Sequence, residues 1–139
     1  MTRLVVAVLL ILVALTASAQ FRGVEWGASR TDVVDAEGED YVVHHPRRIM
    51  YHVEMFGEEV TAAFIFEDNK LLHGMYAFPY DMSRRVLDAL VEKYGEPGET
   101  QGTLASWDAG ETVILADLNG EYYNVMYSDA AALNEKVEE

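Results

Sequence analysis

The stretch 81–97, DMSRRVLDALVEKYGEP, leaves the chain the least freedom. Val86, Leu87, Leu90, Val91 and Tyr94 recur at helical spacing and gather into a single apolar stripe. Asp81 is the predicted N-cap, Gly95 suits the position just past the last turn, and Pro97 prevents the helix from resuming. A helix of this length is marginal in water alone, so its oily stripe must lie on something. Strand-like runs on both sides supply that surface, and the fold class that follows is α+β.

Seven segments read as strands: Tyr41–His45, Arg48–Met55, Glu59–Glu67, Lys70–Phe78, Thr100–Trp107, Glu111–Leu118 and Glu121–Ser128. They are rich in β-branched and aromatic residues and are separated by turn residues, the pattern of an antiparallel meander. Alternation places Ile49, Tyr51, Val53 and Met55 on one face, and Val60, Ala62, Phe64 and Phe66 likewise. It also sets Leu72, Gly74, Tyr76 and Phe78 opposite Leu71, His73, Met75 and Ala77. Asn119-Gly120 is the strongest hairpin signal, predicted as a type I′ turn. Ser29-Arg-Thr-Asp32 has the form of a capping box, opening a short helix that ends at Gly38, with Trp26 placed to pack back on it. The expectation is a mainly antiparallel sheet of six or seven strands with two helices on one face. The tail 129–139 is read as at most a helical turn or two. Ser29-Arg30-x-x-Val33-x-Asp35-Ala36 echoes Ser83-Arg84-x-Val86-x-Asp88-Ala89, which suggests a duplicated helix-plus-sheet unit with halves 20–78 and 79–128.

Residues 1–19 have the layout of a secretory signal peptide: Arg3, an apolar run Leu4–Leu15 and the small-x-small site Ala17-Ser18-Ala19. The run is too short to span about 30 Å of hydrocarbon as a helix. Cleavage would release a single domain, 20–139, without a membrane span, into the periplasm or the extracellular space. No cysteine stands at the cleavage site or anywhere else, which closes lipid anchoring, disulfides, thiol catalysis and cysteine metal sites. Packing alone must hold the domain, and its length suffices for a core. The formal charge of −14 repels phosphate backbones, and there is no basic stripe to offset it, so nucleic acid is excluded as a partner.

The order Phe21-Arg-Gly-Val-Glu-Trp26-Gly-x-Ser29, Asn69-Lys-Leu71, Lys93-Tyr-Gly-Glu-Pro97 and Trp107 resembles small exported bacterial proteins of unknown function. Those share F-R-x-x-x-W-G-x-S, G/N-K-L, K-Y-G-x-P and a later Trp. More distantly, helix followed by antiparallel sheet is similar to the SmpA/OmlA-like outer-membrane assembly lipoproteins and to β-lactamase-inhibitor-type tandem domains. The chain departs from the former in having no lipidated cysteine and from the latter in having no disulfides.

Residues with chemical potential do not converge in the sequence. A two-residue turn at Pro46-Arg47 pairs His45 with Arg48, His44 with Ile49 and Tyr41 with His52, which sends His44 to the opposite face from His45 and His52. A structural zinc site needs converging ligands, so no metal is assigned. Asp117-x-Asn119-Gly120-Glu121 lacks the spacing of a calcium loop. Glu37, Glu39 and Asp40 read as a solvated acidic loop. Ser29, Ser83, Ser106 and Ser128 sit in no nucleophile elbow, and no phosphate loop occurs. No catalytic residue and no cofactor is therefore assigned. The remaining candidate is an aromatic interaction surface, Tyr122, Tyr123 and Tyr127, with Tyr122 on one face of the last strand and the other two on the reverse. The leading expectation is an exported protein-binding module whose partner is another extracytoplasmic protein, engaged at a sheet edge or an exposed sheet face. A small hydrolase or metal-dependent enzyme and a divalent-cation-binding periplasmic protein are the competing classes.

Overall fold

The computed structural model describes residues 21–138, with the side chains of 135–138 left aside. The predicted signal peptide lies outside the described residues. Among those described, three α-helices and eight strands follow in the order α1 (Arg30–Glu37), β1 (Val43–His45), β2 (Arg48–Met55), β3 (Glu58–Glu67), β4 (Lys70–Pro79), α2 (Ser83–Tyr94), β5 (Glu99–Gln101), β6 (Leu104–Ala109), β7 (Thr112–Asn119), β8 (Tyr122–Asp129) and α3 (Ala130–Glu138). The α+β class and the antiparallel sheet are as expected.

The strands form one antiparallel sheet in the order β1-β2-β3-β4-β8-β7-β6-β5. Two four-stranded meanders, each preceded by a helix, therefore meet at their last strands, β4 and β8, in the middle of the sheet. Within each meander every hairpin closes over two residues: 46–47, 56–57 and 68–69 in the first, 102–103, 110–111 and 120–121 in the second.

Five details differ from the sequence reading. The predicted strand Thr100–Trp107 is two strands, because Gly102 at φ +61° turns the chain back in its middle and pairs Gln101 with Leu104. The last hairpin turns at Gly120-Glu121, since Asn119 is already paired with Tyr122. A bulge between Ile65 and Phe66 shifts the register of β4. It brings Leu71 rather than Leu72 into the core, where Leu71 is fully buried. Asp81 caps nothing: it lies in a 3-10 turn, Tyr80–Met82, that leads into α2, and the Ser83 hydroxyl donates to the Tyr80 carbonyl instead. The acidic tail also forms a longer helix, α3, than a turn or two.

Ser29 and Asp32 form both bonds of the capping box. Trp26 reaches past α1, and its indole N–H donates to Thr112 Oγ1 on β7 at 3.0 Å. Val33 of α1 and Val86 and Leu90 of α2 join one core with Ile49, Tyr51, Phe64, Tyr76, Phe78, Trp107, Ile114 and Val125. By strand alternation these sheet residues all stand on one face, so both helices cover the same side. Phe21 is sunk into that core between Phe64, Tyr76 and Tyr127, over Gly74, the one core-face position of central strand β4 that has no side chain.

Candidate functional site

The face of the sheet away from α1 and α2 is built by the alternate residues of the same strands. Pairing runs Met50 to Ala63, Ala63 to Met75, Met75 to Met126 and Met126 to Leu115, so one row of apolar side chains crosses β2, β3, β4, β8 and β7 in register. Ile65 and Val113 stand in the adjacent row. None of these residues belongs to the core under the helices. Met50, Met75 and Met126 are partly buried, Ala63 is buried, and Leu115 is 39% exposed. Acidic residues flank the row on this face: Glu54 pairs with Glu59 near its β2 end, and Asp117 and Asp108 stand to either side of Leu115, while Arg48 shares the row of Ile65. Sequence reasoning missed the row because its members come from five strands and no two are near in the chain. Three methionines at outward positions of predicted strands were the available signal.

The three tyrosines singled out in the sequence do not form one surface. Tyr122 is 51% exposed at the end of the open face. Tyr123 and Tyr127 turn to the helix-covered side, and there Tyr123 is buried and Tyr127 packs against the core. Their burial is a correction: the alternation that divided them also sent two of the three under the helices. Burial pushes the Tyr127 hydroxyl far above the usual tyrosine range, and a hydrogen bond with Tyr94 acts in the same direction. Burial likewise raises Tyr76, partly offset by its bond from Arg22, and raises Tyr123, helped by Asp117.

The histidines separate as the predicted register requires. His45 pairs with Arg48 and His44 with Ile49. Tyr41 lies outside β1, stacking on His44 at 4.6 Å, and Arg30 Nη2 approaches His44 Nε2 at 2.6 Å. His52 faces Glu59 at 3.1 Å. Among the described residues, no group of three or more histidine, aspartate or glutamate side chains is arranged to hold a metal ion.

One contact that the sequence did not suggest joins His73 Nδ1 to Ser128 Oγ at 2.7 Å on the central strands. Ser128 is 4% exposed, however, and a nucleophile must be reachable by its substrate. The pair is best read as a cross-strand tie between β4 and β8. A second polar group closes the core: Arg22 binds Glu37 through both carboxylate oxygens and reaches Tyr76 Oη at 3.3 Å. The Glu37 carboxylate beside it holds the Arg22 guanidinium well above its ordinary value. Glu37 is thereby removed from the acidic loop, leaving Glu39 and Asp40 exposed.

Comparison of the chain with protein-family models, with curated proteins and with solved structures gave no match. Among the described residues, no helix is long and apolar enough to cross a membrane.

Proposed function

We propose that the protein is an exported interaction module, working in the periplasm or outside the cell, that holds a partner protein against the open face of its sheet. The observation that carries this reading is the in-register row Met50–Ala63–Met75–Met126–Leu115 on the side that α1 and α2 do not cover. Methionine is flexible and polarizable and moulds to varied apolar surfaces. A contiguous apolar patch with a polar rim is the usual mark of a recognition surface, and methionine and tyrosine are enriched in such surfaces. The acidic flank of Glu54, Glu59, Asp108 and Asp117 favours a partner with lysine or arginine around its own apolar patch. The edges are the weaker alternative. β1 and β5 are three residues each, the short form that blunts an edge against strand addition. The resemblance to exported α+β domains belongs to the same reading.

A photo-crosslinking residue at Met75 or Leu115, in cells exporting the protein, tests it. Expected is a discrete adduct from these positions and none from Glu92, on the exposed side of α2. Equal crosslinking from all three sites, or from Glu92 alone, contradicts the proposal.

A further inference from the structure

The row on the open face runs further than its apolar members. Val43 pairs with Met50 at one end, and Leu115 with Ser106 and Ser106 with Glu99 at the other, so one line of side chains crosses all eight strands. Its apolar part, from Met50 on β2 to Leu115 on β7, crosses four gaps between neighbouring strands, or about 19 Å. It is also narrow. The adjacent row on one side holds His52, Thr61, Asn124 and Asp117. The adjacent row on the other side holds Arg48, His73, Ser128 and Asp108, and only Ile65 and Val113 widen the apolar stripe there.

That shape selects its occupant. A second sheet packs face to face and needs several apolar rows side by side. An amphipathic helix presents a single apolar stripe with polar residues along both flanks, and about 13 residues of helix match 19 Å. Laid across the strands, such a helix sets its stripe on Met50, Met75, Met126 and Leu115 and its flanks over the two polar rows. Methionine-lined surfaces suit this mode because they mould to helices of varied sequence.

Charge gives the helix a direction. In the rows it would touch, Arg48 and His52 stand on β2, whereas Asp117, Asp108 and Glu99 stand on β7, β6 and β5. Glu54 and Glu59 lie a row further out, and Glu59 already meets His52 at 3.1 Å. The carboxylates within reach are thus gathered at one end.

We infer that the open face takes an amphipathic helix of about 13 residues, lying across the strands with its lysines or arginines at the end over β7, β6 and β5. The helix presupposes the contact surface proposed above and gives it the form and direction of its partner.

The test titrates the folded protein with two peptides of about 14 residues and identical composition, followed through the methionine methyl NMR signals. Both carry leucines, lysines in the N-terminal half, glutamines in the C-terminal half and a nitroxide at the N-terminus. One places its leucines at helical spacing, the other at every second residue. Expected with the first are shifts at Met50, Met75 and Met126 and none at Met55 and Met82, which belong to the core side. The nitroxide should broaden Met126 more than Met50. The alternating peptide should bind at least about tenfold more weakly. Leu115→Gln and Asp108→Lys, both at exposed positions, should each weaken the helical peptide several-fold, and so should added salt. Equal or tighter binding of the alternating peptide at the same methyls overturns the helix and leaves the contact surface standing. Greater broadening of Met50 than of Met126 overturns the direction, and with it the inference. Shifts indifferent to both substitutions place the peptide elsewhere and overturn it as well. If neither peptide moves these methyls, the inference fails, whereas the contact surface is judged by the crosslinks from Met75 and Leu115, which involve no peptide.

Discussion

Gly74→Ala is the smallest change with the largest expected effect. A methyl built on Gly74 would stand 2.1, 2.2 and 2.5 Å from Cγ, Cδ2 and Cδ1 of Phe21. Carbon atoms attract at about 3.5–4.0 Å, so the ring must move by more than an ångström. It has nowhere to go: Phe21 is 1% exposed, and the rings of Tyr76, Phe64 and Tyr127 are centred 5.0, 5.1 and 5.4 Å away. β4 cannot retreat either, held as it is between β3 and β8. Expelling a phenylalanine side chain forfeits about 1.5–3 kcal/mol. Residual strain in the core adds about 1–3 kcal/mol. Alanine's advantage over glycine within a strand returns about 0.5–1 kcal/mol. The net expectation is a loss of about 3–4 kcal/mol, read as a lower urea midpoint at unchanged slope. Phe21→Ala alone should cost about 3–5 kcal/mol. The double variant should cost no more than Phe21→Ala, because the new methyl then enters the space the ring has left. A coupling of about 3 kcal/mol is thus predicted for the cycle. Additive losses, or a Gly74→Ala variant within about 1 kcal/mol of the parent, would refute the argument.

Other outcomes follow from the same contacts. Leu90→Asp puts a carboxylate into the α2–sheet contact, where Leu90 is 6% exposed, and should unfold the protein by circular dichroism, whereas Glu92→Asp on the exposed side should stay within about 0.5 kcal/mol. Trp26→Phe keeps the ring but loses the indole bond to Thr112, and should lower stability by about 1 kcal/mol in urea melts. Burial raises the folded-state values of Tyr76, Tyr123 and Tyr127 above the ordinary tyrosine value of 10. Their stabilising contribution is therefore whole below about pH 10 and drains away as pH climbs toward the folded values. Absorbance at 295 nm should show a late, cooperative phenolate step that coincides with loss of the near-ultraviolet dichroism. Phenolates that all form while that signal persists would contradict their burial.

The helices and the core face were legible because each rests on local chemistry. Ser29 and Asp32 announce α1 at their own positions, and the 3.6-residue recurrence from Val86 to Tyr94 announces α2. What escaped depended on partners elsewhere in the chain. Asp81 looked like a cap, but the 3-10 turn that precedes α2 carries the chain past it, with the Tyr80 N–H bonded to the Glu121 carbonyl. Leu71 and Leu72 exchanged faces because of a bulge in the pairing of β3 with β4, which alternation within one strand does not reveal. Gly102 was the visible signal for the missed hairpin, since a glycine inside a strand pattern often marks a bend. Alternation separates Tyr122 from Tyr123 and Tyr127 on β8, but which of the two faces α1 and α2 cover is a tertiary fact. The Ser-Arg echo between α1 and α2 gains weight from topology. Both helices open units of four antiparallel strands that meet in the middle of the sheet, and duplication is the reading we favour.

The account turns on a sheet with one covered and one open face, and the methionines report on both. Met50, Met75 and Met126 stand in the open row, whereas Met82 is 2% exposed beneath the start of α2. Brief oxidation of the native protein by hydrogen peroxide, with each site quantified by mass spectrometry, separates the two faces directly. The open-row methionines should form sulfoxide at least about tenfold faster than Met82, with the fold intact. Equal rates at all four sites, or a Met82 that reacts first, would mean that the helices do not cover the face assigned to them.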